Sequence, residues 1–348
     1  MTSSLAGVLA PLAALSARLG MNRDLVQGAG GNTSLKRGEA ELWVKASGTW
    51  LSAAERQPIF VGLDLPGLLR RMAAGEAEPA LPALLDPAGT LRPSIETTLH
   101  ALLPHRVVLH VHSVNALAFA PRADGEALVA GRLAGLRWAW IPYAKPGLPL
   151  TRAVQARMAS APDILVLGNH GLVVGGGSTE EAEARLDEVE RRLATPARPA
   201  PPADLPLLER LAGLSGGRYR PARLAEAHAA ATEAASFAMA GRGALYPDHV
   251  VFLGPAPIPT LAPDRAAEWL RQPPPLLSAP ALVLVGGAGA LLRADLGAGA
   301  EEMAACLGLV LPRLDPAAPL TVLGPAQEAE LLDWDAEKYR QSLNAAHP

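Results

Sequence analysis

Apolar residues fall into two alternating patterns along the chain. At the start, Leu5, Val8, Leu9, Leu12 and Leu19 recur at helical spacing and predict one amphipathic helix. A clearer helix runs from Ser178 to Leu193. Ser178 and Glu181 have capping-box spacing, and Ala182, Leu186, Val189 and Leu193 make an apolar stripe. Between such segments lie short apolar runs of strand length: Leu42 to Lys45, Val107 to His112, Ile164 to Leu167, and a run starting at Leu282. Alternation of helical and strand-like segments predicts an α/β fold.

The pattern also divides the chain. Thr195 to Pro206 is rich in Pro and Ala and reads as a semi-rigid linker. We therefore expect a first domain over 1–194, a linker over 195–206, and a second, smaller α/β domain over 207–348. The second domain echoes the first. Ile164 to Leu186 reads strand, Gly-Asn-His-Gly, strand, Gly-rich turn, two glutamates, helix. Leu282 to Leu307 reads strand, Gly-Gly-Ala-Gly, strand, turn, Glu301-Glu302, helix. Aligned on Gly171 and Gly289, His170 falls on Ala288.

Composition narrows the function classes. With 348 residues, 49% hydrophobic and 19% charged, the chain can bury two cores of ordinary size. A net charge of -3 without runs of Lys or Arg argues against a nucleic-acid partner. The single cysteine, Cys306, excludes an internal disulfide and fits core packing. There is no basic residue before Arg18, so the apolar start lacks the signature of a secretion signal, and no apolar run has membrane-spanning length. The expectation is a cytoplasmic protein with no membrane partner.

Chemistry concentrates in a few short phrases. In Val107-Val108-Leu109-His110-Val111-His112-Ser113, a strand puts His110 and His112 on the same face. His170 follows the strand Ile164 to Leu167 in Gly168-Asn169-His170-Gly171. Three neutral imidazoles with an open position form the ligand set of a catalytic zinc. A His-x-His pair alone also occurs by chance on half-exposed strands. Upstream, Gly28-Ala29-Gly30-Gly31-Asn32-Thr33-Ser34 is a Gly-rich turn that either approaches an anion or is an ordinary loop. It is not a dinucleotide fingerprint, because a polar hairpin follows instead of a helix. Lys45-Ala46-Ser47-Gly48-Thr49 is a second such turn. In Pro93-Ser94-Ile95-Glu96, Glu96 opens a helix, either as a dipole-favoured carboxylate or as a general base facing a metal.

These phrases, in this order, resemble the class II aldolase/adducin family. The resemblance rests on Gly-Gly-Asn-Thr-Ser, Lys-Ala-Ser-Gly-Thr, Pro-Ser-x-Glu, His-Val-His-Ser and Asn-His-Gly-Leu, and covers about residues 5 to 194. The family includes zinc-dependent aldolases for fuculose and rhamnulose phosphates, pentulose-phosphate epimerases, sugar-acid decarboxylases, a methylthioribulose-phosphate dehydratase, and the non-catalytic adducin. The resemblance implies a sheet flanked by helices with a metal at one rim, usually in a homo-oligomer. It implies His110, His112 and His170 as ligands of zinc or another divalent transition metal, and Glu96 as the acid/base carboxylate. It implies Gly31, Asn32, Ser47, Gly48 and Ser94 as the groups holding a phosphate or its equivalent. Residues 205–348 resemble, more weakly, the later part of the aldolase half of rhamnulose-phosphate aldolase/dehydrogenase fusions, through Tyr246-Pro247-Asp248-His249 and Trp334 to Arg340.

The chain departs from family sugar-phosphate enzymes at Ile95, where many carry serine, and in a shorter spacer from Glu96 to His110. No tyrosine stands where the fuculose-phosphate enzymes place a proton donor, and Tyr143 matches a structural segment instead. The expected function is metal-dependent C–C cleavage of a small carbohydrate-type hydroxy-carbonyl compound through an enediolate. Epimerase, decarboxylase or dehydratase chemistry on the same site, and an adducin-like interaction module, are the alternatives. Retention of three histidines and Glu96 weighs against the module. His100 and His105 are expected to be structural or exposed, and His228 to lie on the surface.

Overall fold

A computed structural model describes residues 4–333. Its described residues separate into two compact units, 4–116 with 126–194, and 117–125 with 195–333. The first unit is a mixed α/β layer around a seven-stranded sheet. Its strands are β1 (Asn32–Arg37), β2 (Glu41–Lys45), β3 (Phe60–Asp64), β4 (Val107–Val111), β5 (Trp138–Ile141), β6 (Ile164–Leu167) and β7 (Gly171–Gly176), in the order β3-β2-β1-β4-β7-β6-β5. Only β5 and β6 run parallel; every other pair is antiparallel.

β4 is central, which explains its composition. All five of its residues are buried, so it reads as a continuous apolar run interrupted only by His110. Val108, Leu165, Leu167 and Val173 pack with Leu99, Leu103, Leu150 and Val154 in one core cluster. Each such fully buried side chain contributes roughly 1.5–3 kcal/mol of hydrophobic stabilisation. A polar side chain on this strand therefore has to be compensated, and His110 is 0% exposed. The helix Thr179–Leu193 buries Ala182, Leu186, Val189 and Leu193 as expected. Its cap differs from a full capping box: Ser178 Oγ accepts from Glu181 N, but Glu181 Oε2 accepts from Gly177 N, one residue early.

The second unit carries β8 (Tyr219–Pro221), β9 (Thr260–Leu261), β10 (Leu282–Val285) and β11 (Gly289–Arg293), ordered β8-β11-β10-β9. This repeats β4-β7-β6-β5 of the first unit in order and direction. The tight hairpins share a register, Leu167 opposite Gly171 and Val285 opposite Gly289. Both turns close with the same bond, His170 N to Leu167 O at 3.1 Å and Ala288 N to Val285 O at 2.9 Å. Both place a left-handed residue before it, Asn169 at φ 51° and Gly287 at φ 73°. In the second unit Pro221 pairs with Leu291 where His110 pairs with Val173, so two of the imidazole positions are filled by Pro221 and Ala288.

Two expectations about organisation change. The stretch 1–194 is interrupted in space, because Leu117–Gly125 belongs to the second unit. There Ala123 N donates to Pro319 O and Thr321 N to Pro121 O. The Pro-rich stretch is anchored to that unit: Arg198 N donates to Pro312 O, and its guanidinium reaches Glu233 at 2.8 Å and the Leu311 and Leu314 carbonyls. A helix, Leu205–Leu214, already begins inside it. The segment from Trp334 to Arg340 lies outside the described residues.

Candidate metal centre

The three histidines converge. Their ring centroids lie 5.0 Å (His110 to His112), 5.0 Å (His110 to His170) and 5.4 Å (His112 to His170) apart. One ring nitrogen from each falls within 4.8 Å of the others. The strand period puts His110 and His112 on one face, and the β6–β7 turn delivers His170. Asn169 adopts the left-handed conformation that Asn tolerates better than most residues, and Gly171 lets β7 lie against β4. A Cβ on Gly171 would stand 2.6 Å from Val111 O. On the other side of β4, Gly31, at φ +61°, is equally close-fitted: a Cβ there would stand 2.7 Å from His110 O. Gly31 thus packs closely against the strand that carries His110.

Glu96, 4% exposed, caps the helix Thr97–Leu102 and points at the imidazoles. Its Oε2 lies 3.2 Å from His110 Nε2 and its Oε1 3.4 Å from His170 Nε2. His110 Nδ1 lies 3.1 Å from Leu172 O. A carbonyl only accepts, so Nδ1 carries the proton and Nε2 of the neutral ring presents a lone pair. A carboxylate oxygen then faces that lone pair, an arrangement that a cation between them relieves. Glu96 Oε1 is buried with no hydrogen-bond donor among the described residues. The donor set therefore fits a divalent metal: three imidazoles and an adjacent carboxylate on one rim.

Burial alone would raise the Glu96 carboxyl. The Asn32 amide opposes this, as does any positive charge carried at the His110, His170 and His112 site, and together these lower it. Asn32, opposite His110 in the β1–β4 register, donates from Nδ2 to Glu96 Oε2 at 2.8 Å. Ser94 Oγ accepts from Glu96 N at 3.2 Å, steadying the start of its helix. Ser47 and Gly48 sit on the neighbouring loop, tied to Ser94's loop by Ser47 N to Arg92 O and Ser94 N to Lys45 O. The backbone N–H groups of Ser47 and Ser94 are thus spent on the protein, and the Asn32 amide is aimed at Glu96.

Two residues of this assembly escaped the sequence reading. Lys45, 2% exposed, donates from Nζ to Ala29 O at 2.9 Å and Gly31 O at 3.0 Å, pinning the Gly-rich turn. His100, 0% exposed, bonds Ser34 Oγ through Nδ1 at 2.6 Å and Asn32 Oδ1 through Nε2. Burial pushes His100 down to about 3 despite the opposing pull of Glu96, so it is neutral. The available signal was its position four residues after Glu96, on the same helix face. His105 pairs with Asp163 at 2.8 Å. His228 is buried, not on the surface; its Nδ1 accepts from Ala290 N, because the second sheet closes over it.

A family model described as the class II aldolase and adducin N-terminal domain matches residues 10–195, more than half of the chain. The chain belongs to the class II aldolase and adducin family. It is 33% identical over 177 residues to the uncharacterized oxidoreductase YuxG of Bacillus subtilis, a match covering 47% of this chain and 25% of that one. The chain thus spans about a quarter of the length of this curated relative. It is similar to the N-terminal class II aldolase domain of a conserved protein from Thermoplasma acidophilum, with 26% identity and a TM-score of 0.47, covering 56% of this chain and 93% of that one. It is also similar to YgbL of Klebsiella pneumoniae, described as a putative aldolase/epimerase/decarboxylase, with 23% identity and a TM-score of 0.37, covering 52% and 84%. Members of the class II aldolase part of the family depend on a metal, and the buried histidine triad of this member is able to bind one. No described helix is long and apolar enough to cross a membrane.

Proposed function

We propose that this class II aldolase-family protein is a metal-dependent lyase that breaks a C–C bond in a small carbohydrate-type hydroxy-carbonyl compound. The observation that carries the reading is the buried Glu96 carboxyl set 3.2 and 3.4 Å from Nε2 of two of the three converging histidines. His110, His112 and His170 would hold the metal, which we take to be zinc from the all-imidazole donor set. A bound divalent metal supplies electrophilic stabilisation of the negative charge that develops on a substrate carbonyl oxygen.

The protein's own groups do the rest. Glu96, facing the imidazoles and accepting from the Asn32 amide, would take a proton from a substrate hydroxyl or carbon as a carboxylate base. In cleavage, loss of the hydroxyl proton turns C–O(H) into a carbonyl. The C–C electron pair passes to the fragment bearing the original carbonyl, and that carbon is reprotonated. Asn32 keeps the carboxylate from rotating between these transfers. His112 and His170 are 7% and 6% exposed against 0% for His110, so the approach to the rim is past these two rings.

The test is metal analysis followed by a panel of sugar phosphates and sugar acids. One zinc per chain and zinc-dependent release of an aldehyde support the reading. An epimer, carbon dioxide or a dehydrated product without aldehyde would replace it with the corresponding reaction. Full metal content in a His110→Ala, His112→Ala double variant would remove the metal assignment.

A further inference from the structure

We infer that His100 is a positioning residue that, through Asn32, dedicates one oxygen of Glu96 to the protein and leaves the other for the proton in transit. The inference rests on the reading of Glu96 as the acid/base group.

The hydrogen-bond chain has one consistent direction. The Asn32 amide NH2 faces Glu96 Oε2 at 2.8 Å and donates to it. The Asn32 carbonyl oxygen then faces His100, and a carbonyl cannot donate. His100 Nε2 must therefore carry the ring proton. The neutral ring has one proton, so Nδ1 is an acceptor and Ser34 Oγ–H donates to it across 2.6 Å. The order is Ser34 to His100 to Asn32 to Glu96. A flipped Asn32 amide would set its oxygen against a carboxylate oxygen and its NH2 against an N–H.

The fold builds this chain from local rules. Asn32 and Ser34 are two apart on β1 and share a face. Successive side chains on one face of a strand stand about 7 Å apart, which an imidazole inserted between them bridges with its two nitrogens. His100 comes from the helix that Glu96 opens, one turn further on. His100 and Glu96 thus hang on one helix, and Ser34 and Asn32 on the strand next to β4. None of the relay residues is more than 4% exposed, so water does not compete for these bonds.

The consequence is asymmetry in the carboxylate. Oε2 receives the Asn32 amide and faces His110, while Oε1 has no donor among the described residues and faces His170. Oε1 is the oxygen that takes and returns the proton. Without His100 the Asn32 amide loses the partner that fixes its orientation, and Glu96 can present either oxygen.

The first test needs no substrate. In the zinc-loaded protein carrying 15N-histidine, the His100 ring should show a proton on Nε2 and an accepting Nδ1, unchanged between about pH 5 and pH 9. A proton on Nδ1 would overturn the inference. The second test uses His100→Leu and His100→Gln. Glutamine offers Asn32 an N–H donor; leucine fills space only. Both should keep one zinc per chain. With dihydroxyacetone phosphate as the probe, exchange of its hydroxymethyl protons in heavy water should slow by roughly tenfold to a hundredfold in the leucine variant, in the turnover constant more than in KM. It should recover to within a few-fold in the glutamine variant. Wild-type exchange in His100→Leu, or equal losses in both variants with equal losses of thermal stability, would reduce His100 to a packing residue. Glu96→Gln separates the two claims. If it exchanges normally, the acid/base reading itself fails; if it is silent while His100→Leu is normal, only the positioning role fails.

Discussion

Gly171 offers a test of the metal centre that leaves every ligand in place. Replacing it with alanine adds one methyl group to the β7 residue that lies against β4. The new Cβ would stand 2.6 Å from Val111 O, where ordinary contact begins at 3.4 Å, so the strands must part by about 0.8 Å. Gly171 has no positive φ, so the conflict is one of space and not of backbone conformation. The contacted atom is backbone between His110 and His112, and it cannot swing aside as a side chain would. Metal sites tolerate displacements of about 0.2 Å in ligand distance. A shift several times larger, applied between the two strands that carry the ligands, should weaken zinc binding by roughly tenfold to a hundredfold. Overpacking should also cost about 2 kcal/mol of stability. The assay is competitive zinc titration below the onset of melting, with thermal unfolding recorded with and without metal. The second unit supplies the control. Gly289→Ala meets His228 Nδ1 at 2.7 Å at φ +141°, so it should lower the melting temperature and leave zinc affinity alone. Wild-type zinc affinity in Gly171→Ala, or equal loss of affinity in both variants, would refute the reasoning.

Further outcomes follow from the same geometry. Glu96→Gln should retain stoichiometric zinc and lose turnover by about 100- to 10,000-fold, read by metal analysis beside steady-state kinetics; unchanged turnover would remove Glu96 from the chemistry. Protons compete with metal for imidazole, so zinc should be released as pH falls through the ordinary histidine range near 6.5, and affinity that is flat there would contradict imidazole ligation. His249 is 0% exposed, neither ring nitrogen has a hydrogen-bond partner among the described residues, and burial pushes it down from 6.5 to about 4. Its folded value lies below its unfolded one, so the fold resists its protonation, and stability is unaffected by this group above 6.5 and falls by about 3 kcal/mol as pH drops toward 4. His249→Phe should therefore flatten the acid limb of the stability profile and raise stability at neutral pH by about 1 kcal/mol; an unchanged acid limb would show that another group governs it.

Much of this centre was legible in one dimension because its rules are local. The period of two that aligns His110 with His112, the Ser178 cap, the Gly-Asn-His-Gly turn and its echo at Gly286–Gly289 are short-range matters of backbone geometry. The register of the two hairpins follows from the same turn type, so Gly171 and Gly289 are equivalent positions of the two units. The side-chain network was not legible in that way. The family resemblance implies Asn32 as a phosphate contact; in the fold its side-chain amide faces Glu96. His100 read as structural because nothing along the chain shows that Ser34 and Asn32 stand opposite its ring. His228 read as exposed because an Ala-rich run does not reveal which side a sheet will cover.

By itself, the chain determined its class, its strand-and-turn grammar and the shared face of His110 and His112, since each depends on residues a few positions apart. What only the tertiary structure decided is which distant segments become neighbours. β4 lies between β1 and β7 although 69 residues separate the end of β1 from its start. That choice is made by burial of a strand apolar at every position but His110, and by two glycines that let its neighbours come close. The same choice brought His170 to His110 and placed Asn32 and His100 behind Glu96, because long-range pairing is settled by packing and not by sequence spacing.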